Sequence, residues 1–90
     1  MLDQRFFREE LPSLMERYQG ERPNEKIQAE LLLQHGVFLR AEGPIEAGPS
    51  YIAFDYQIRN EKRRAVVPYD AIIAVSLAPA EKEKSKPGLI

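Results

Sequence analysis

The N-terminal segment spaces its apolar positions as a helix does. Apolar side chains recur every three or four residues over positions 3–19, which gathers them on one helical stripe. Asp3 is expected to cap this helix and Gly20 to end it. Because Pro12 lacks a backbone N–H, the helix either kinks at Leu11 or restarts with Pro12 in its first turn. The stripe consists of Phe6, Phe7, Leu11, Leu14, Met15 and Tyr18.

A stripe of this size has to pack on something. We expect the helix to cover one open end of a β-barrel, and the alternative is a helix that binds a partner. From Lys26 onward the period changes to that of a strand, with apolar and polar side chains alternating. Helix is the competing interpretation for residues 25–33, which are rich in good helix formers. A strand is preferred there because the hairpin that follows needs a partner.

Five strands are predicted, separated by turns that contain glycine, proline or charged residues. His35-Gly36 joins the first two strands as a hairpin, and the loop that begins at Gly43-Pro44 and closes at Gly48-Pro49 interrupts pairing. A charged turn follows at residues 59–63, and Pro68-Tyr69-Asp70 forms a sharp corner between the last two strands. The predicted strands span residues 27–34, 37–42, 50–58, 64–69 and 72–77.

The length of the chain predicts one domain with a thin core. Ninety residues bury only about 60–65% of the surface that the unfolded chain exposes, so self-association would add stability. We expect the domain to cover residues 1–80 and the charged residues 81–90 to form a flexible tail. No continuous apolar run resembles a secretory signal or approaches the ~20 residues of a membrane span. These features predict a cytoplasmic protein without membrane association.

The charge pattern allows local binding of an anion but not a general coating of nucleic acid. The net charge is −1, whereas phosphate affinity depends on concentrated cations. One dense basic group stands out, and it has two interpretations. It is either a solvated hairpin tip or a phosphate site with Tyr51 and Tyr56 nearby as stacking faces. The group, called the basic cluster below, consists of Arg59, Lys62, Arg63 and Arg64.

The side chains that catalysis requires are sparse. His35 is the only histidine, it falls in a predicted turn, and no partner for acid–base chemistry is identifiable. The chain contains no cysteine, no serine flanked by a glycine elbow and no spaced set of carboxylates. Gly43-Pro44 and Gly48-Pro49 cannot offer a run of N–H donors to a phosphate, because proline lacks a backbone N–H. We therefore predict no enzyme, no metal site and no cofactor.

Two segments, LLLQHGVFLRA at residues 31–41 and VVPYDAIIAV at residues 66–75, resemble the motifs of Sm-like proteins, and of bacterial Hfq in particular. Residues 31–41, LLLQHGVFLRA, resemble the first motif, in which an apolar strand ends in a glycine turn followed by leucine. Residues 66–75, VVPYDAIIAV, resemble the second motif. Tyr69-Asp70 stands where Hfq has Lys-His at its uridine and phosphate pocket, which replaces a cation by an anion. A similar strand–corner–strand ending occurs in the C-terminal domain of the ribosome maturation factor RimP.

The resemblance implies a strongly bent, five-stranded antiparallel barrel with an N-terminal helix. It also implies a ring of identical subunits, closed by the fourth strand of one barrel and the fifth of the next. The first functional hypothesis is an oligomerising module that contacts RNA through the basic cluster and Tyr69. The alternative is a protein–protein interaction or assembly module without a nucleic-acid role, which the acidic pI of about 5.8 and Asp70 favour.

Overall fold

The structure is a computed structural model that describes residues 2–80. Within these residues, a helical segment is followed by six β-strands in two antiparallel sheets. The expectation of a mainly β chain with an N-terminal helix is therefore confirmed, whereas the expected number of five strands is wrong. The strands are β1 (Ile27–Leu33), β2 (Phe38–Arg40), β3 (Glu42–Ala47), β4 (Tyr51–Ile58), β5 (Glu61–Pro68) and β6 (Ile72–Pro79).

The helical segment begins as its sequence predicts. The Asp3 carboxylate accepts a hydrogen bond from the backbone N–H of Phe6 at 3.0 Å, which is the expected cap. A π-helical turn, Phe6–Glu10, precedes helix α1, Leu11–Glu21. Pro12 lies in the first turn of α1, where its missing N–H costs least. The helix thus restarts at the proline, and it continues one residue beyond Gly20 rather than ending there.

The first sheet has the strand order β2-β1-β6. Residues 27–33 form a strand rather than the competing helix, and β6 pairs along its whole length, from Ile27 opposite Pro79 to Leu33 opposite Ile72. A short turn, Gln34–Gly36, connects β1 to β2 as the expected hairpin. His35 and Gly36 both have positive φ, 68° and 76°, which suits a tight reversal.

The second sheet has the order β3-β4-β5, and β3 is the strand that the sequence did not predict. The stretch expected to be an unpaired loop pairs with β4, first at Glu42 and again at Glu46. The register shifts between these two residues, so Pro44 lies where the ladder is interrupted. Gly43, at φ 81°, takes up a backbone conformation that glycine adopts readily. An irregular edge strand therefore tolerates residues that usually stop pairing.

The two sheets meet at Ala41, between β2 and β3. The Ala41 N–H donates to the Ala29 carbonyl at 2.9 Å, so the chain stays beside β1 before Glu42 pairs with β4. One bent segment thereby contributes a strand to each sheet. At the opposite side, the turn Tyr69–Ala71 joins β5 to β6, which are edges of different sheets. The expected closed barrel is therefore not formed, because these two strands do not pair.

The core lies between the two sheets, with the helical segment packed against it. Leu31 and Ile52 are completely buried, and Phe7 and Leu11 bring the helical segment onto the same cluster. This is the packing expected of a helix that covers a sheet core. The remaining buried members of the cluster are Ala41, Phe54, Val67, Tyr69 and Ile72.

Candidate nucleic-acid interface and open sheet edges

A tight hairpin carries the basic cluster. Strands β4 and β5 pair from Tyr51 opposite Pro68 to Ile58 opposite Glu61, which leaves only Arg59 and Asn60 in the turn. Both turn residues have positive φ, 54° and 65°, the pattern of a type I′ turn. The five-residue turn expected from the sequence is therefore wrong. Arg59 alone of the cluster lies in the turn, and its other three members belong to β5.

The strand divides these three cations between the two faces of the sheet, because successive side chains point to opposite sides. Lys62 and Arg64 share one face, where Lys62 lies opposite Gln57. Arg63 lies on the other face, opposite Tyr56. All three are exposed, so a ligand that wraps the hairpin could reach them from both sides.

Acidic neighbours pair with two members of the cluster. The Arg63 guanidinium is 2.8 Å from the Glu61 carboxylate, and the Arg64 guanidinium is 2.9 Å from that of Asp55. The hydrogen bond that the Arg64 guanidinium donates to the Asp55 carboxylate raises the pKa of Arg64, so this side chain remains charged. Such exposed pairs contribute little stability, but they reduce the positive potential around the cluster. The cluster members without an ion pair within residues 2–80 are Arg59 and Lys62.

Tyr69, expected from the resemblance to contribute to RNA binding, lies elsewhere. It is 8% exposed, its ring centroid is 5.9 Å from that of Phe7, and its hydroxyl donates to the Gly48 carbonyl at 2.7 Å. Burial raises the pKa of its phenol. Six strand positions, or about 20 Å, separate it from Arg63. The structure therefore does not bring Tyr69 together with the basic cluster.

Strands β5 and β6 each leave one edge without a partner strand in the described part of the chain. Each is eight residues long. β6 contains no charged side chain, although charges are the usual protection of an exposed edge. Val66 on β5 and Ile73 on β6 are 63% and 59% exposed. These edges can template the addition of another strand.

Phe38 is a surface residue that the sequence analysis did not single out. It is 59% exposed on β2, and it lines a cleft together with Tyr56 and Gln57 of β4. The alternation of residues 37–42 could have indicated its exposure. Phe38 falls on the same side of the strand as the exposed Arg40, whereas Leu39 points to the core side. An aromatic residue at a position that the alternation assigns to the polar side of a strand is expected to be exposed.

The remaining candidates for chemistry are isolated. His35 is exposed on the β1–β2 turn, and its side chain makes no hydrogen bond to another described residue. Within residues 2–80, no three His, Cys, Asp or Glu side chains are grouped so that they could hold a metal ion. The same residues include no helix that is long and apolar enough to span a membrane. Comparisons of the chain with known protein families, curated proteins and solved structures find no match.

Proposed function

We propose that this chain is a self-assembling, Sm-like binding module of the cytoplasm that contacts RNA through the tip of the β4–β5 hairpin. The observation that carries the proposal is that β5 and β6 are long edge strands, each with one side that pairs with no other strand of residues 2–80. Because they are different surfaces of one molecule, joining them between copies makes a head-to-tail contact, which closes into a ring when the rotation allows. The proposal includes no catalytic step and no cofactor.

The composition of the two edges supports assembly. β6 is neutral throughout, and β5 offers the apolar run Ala65-Val66-Val67 beside its charged half. A long, apolar edge left in water promotes uncontrolled association, so a defined partner strand would protect it. The bent segment around Ala41 and the corner after Pro68 also agree with the Sm-like resemblance of residues 31–41 and 66–75.

Assembly is tested by sizing the protein with light scattering over a range of concentrations. We expect a discrete oligomer, and we expect Val66→Lys or Ile73→Lys to convert it to monomers, because a charge at an interface between edges is costly. Both side chains are more than half exposed, so the fold of the monomer is spared. Val37→Lys, at a 46% exposed site away from both edges, is the matched control. A wild-type chain that stays monomeric at high concentration would refute the assembly.

The RNA contact is supported by the position of the two cations without ion pairs. Arg59 lies in the rigid type I′ turn, and Lys62 is exposed close to it on β5. A phosphate there meets positive charge that forms no ion pair with the acidic side chains of residues 2–80. The two arginine ion pairs favour the competing function, a protein assembly module with no nucleic-acid role.

Fluorescence anisotropy with labelled oligouridylate and oligoadenylate at low salt separates the two functions. We expect binding whose dependence on log salt becomes shallower by about 1.4 in Arg59→Gln/Lys62→Gln, since each phosphate contact on a single strand contributes about 0.7. Arg17→Gln/Lys26→Gln removes the same charge from the helical side and serves as control. No binding by the wild-type oligomer would eliminate the RNA contact and leave the assembly module.

A further inference from the structure

A cleft opens where the two sheets separate. β2 is an edge of the first sheet, and β3 pairs with β4 only as far as Asp55. The last residues of β4, Tyr56–Ile58, therefore have a strand partner on the β5 side alone. The cleft between these segments and β2 has a volume of about 500 Å³.

The cleft combines aromatic faces with groups that can form hydrogen bonds. Phe38 contributes an exposed ring from β2, and Tyr56 contributes a half-buried ring from β4. Gln57 adds an exposed amide, which is both donor and acceptor. Arg40 and Glu30 also line the cleft, as an ion pair with 3.1 Å between the guanidinium and the carboxylate, together with the apolar Leu39 and Ile58.

We propose that this cleft binds a nucleobase of single-stranded RNA. A base presents an aromatic face and an edge of donors and acceptors, which match the Phe38 ring and the Gln57 amide respectively. This inference rests on the RNA contact of the proposed function. It adds recognition of the base, whereas the basic cluster can contact only the phosphates. Phosphate contacts position a strand, whereas contacts to its bases hold and select it.

The register of the hairpin supports this assignment. Two of the three β4 residues that line the cleft lie directly opposite cations of β5, Tyr56 opposite Arg63 and Gln57 opposite Lys62. Arg59 follows the end of the same strand. A nucleotide whose base occupies the cleft therefore has its neighbouring phosphates within reach of the basic cluster. The closeness of rings and cations favours a nucleic acid over an apolar peptide as the occupant.

The test is Phe38→Ala in the anisotropy assay with the full chain. Loss of one stacking face should weaken binding of oligouridylate or oligoadenylate by about 5- to 150-fold. The slope against log salt should not change, because the phosphate contacts remain. Phe38→Tyr should retain binding, and Leu14→Ala, at a 37% exposed apolar site on helix α1, should bind as the wild type does.

Oligonucleotides with abasic positions provide an independent measurement. The wild type and Phe38→Ala should bind a fully abasic strand equally, since only phosphates remain to be recognised. Wild-type affinity for normal RNA in Phe38→Ala would overturn the base site while leaving the RNA contact intact. Absence of RNA binding by the wild type would instead refute the proposed function itself. If Phe38→Ala abolished binding of an apolar peptide but not of RNA, the cleft would be a peptide site and the inference would be wrong.

Discussion

Replacing Tyr69 by phenylalanine tests how much the hydrogen bond of its hydroxyl stabilises the corner between β5 and β6. The Tyr69 hydroxyl donates to the Gly48 carbonyl at 2.7 Å, which links the corner to the turn before β4. Phenylalanine keeps the ring against Phe7 and removes only this hydrogen bond. The substitution therefore separates the hydroxyl from the packing around it.

The expected loss can be bounded from the structure. A hydrogen bond contributes about 0.5–1.5 kcal/mol net, and more is lost when a buried partner stays unsatisfied. Gly48 is only half-buried, so water can reach its carbonyl once the hydroxyl is gone. We therefore expect the free energy of unfolding to fall by about 1 kcal/mol, which corresponds to a decrease in Tm of about 4–8 °C for a domain of this size.

The pH dependence of the free energy of unfolding provides a second test of the same hydroxyl. Burial raises the pKa of Tyr69 above its ordinary value of about 10, while the unfolded chain keeps the ordinary value. Below pH 10 the phenol is protonated in both states, so its contribution is constant. Above that pH the unfolded state releases its proton first, and the wild type loses stability as pH rises toward the folded pKa. The difference between wild type and Tyr69→Phe should therefore narrow above about pH 10.

Urea denaturation followed by far-ultraviolet circular dichroism measures both effects, since the chain has no tryptophan to report by fluorescence. Tyr51→Phe is the matched control, because Tyr51 is 42% exposed and its hydroxyl has no partner among residues 2–80. It should change the free energy of unfolding by less than about 0.5 kcal/mol. The reasoning fails if Tyr69→Phe is as stable as the wild type at neutral pH and follows the same curve above pH 10.

Three further substitutions test the fold by the same denaturation assay. Ile52→Ala, at a completely buried site, should lower the free energy of unfolding by about 2–5 kcal/mol, and an effect below that of the 48% exposed Ile58→Ala would contradict the assigned core. Asn60→Val should cost about 1–2 kcal/mol, because a β-branched residue resists the φ of 65° in the type I′ turn; an unchanged midpoint would argue against that turn. Gly43→Ala should cost a similar ~1–2 kcal/mol through its φ of 81° alone, since an added Cβ meets no atom within 4 Å, and no loss would show a different backbone there.

Features that depend on neighbouring residues could be predicted from the sequence. The Asp3 cap, the strand character of residues 27–33 and the hairpin at His35-Gly36 follow from side chains within a few positions of one another. β3 could not be predicted, because Gly43-Pro44 normally ends a strand. Only the register shift opposite β4 reveals how those residues fit.

The candidate sites depend more on distant parts of the chain. The basic cluster is visible in the sequence, but its short turn and its ion pair between Arg64 and Asp55 require the register of β4 and β5. The cleft beside Phe38 is lined by residues of β2 and β4 that lie far apart in the sequence, so no local pattern predicts it. Of the features of this cleft, only the position of Phe38 on the polar side of its strand could be predicted from the sequence.

The pairing of β1 with β6 has a consequence for how the chain folds. Strands β3, β4 and β5 follow one another closely in sequence, so the second sheet can form from local hairpins as the polypeptide emerges. β1 cannot complete its pairing until β6 has been synthesised, because Ile27 at the start of β1 pairs with Pro79 at the end of β6. Until then the first sheet has only the short β1–β2 hairpin, and the apolar face of β1 stays exposed to other nascent chains. Because β6 is synthesised last of the six strands described, its pairing with β1 is the step that completes the core.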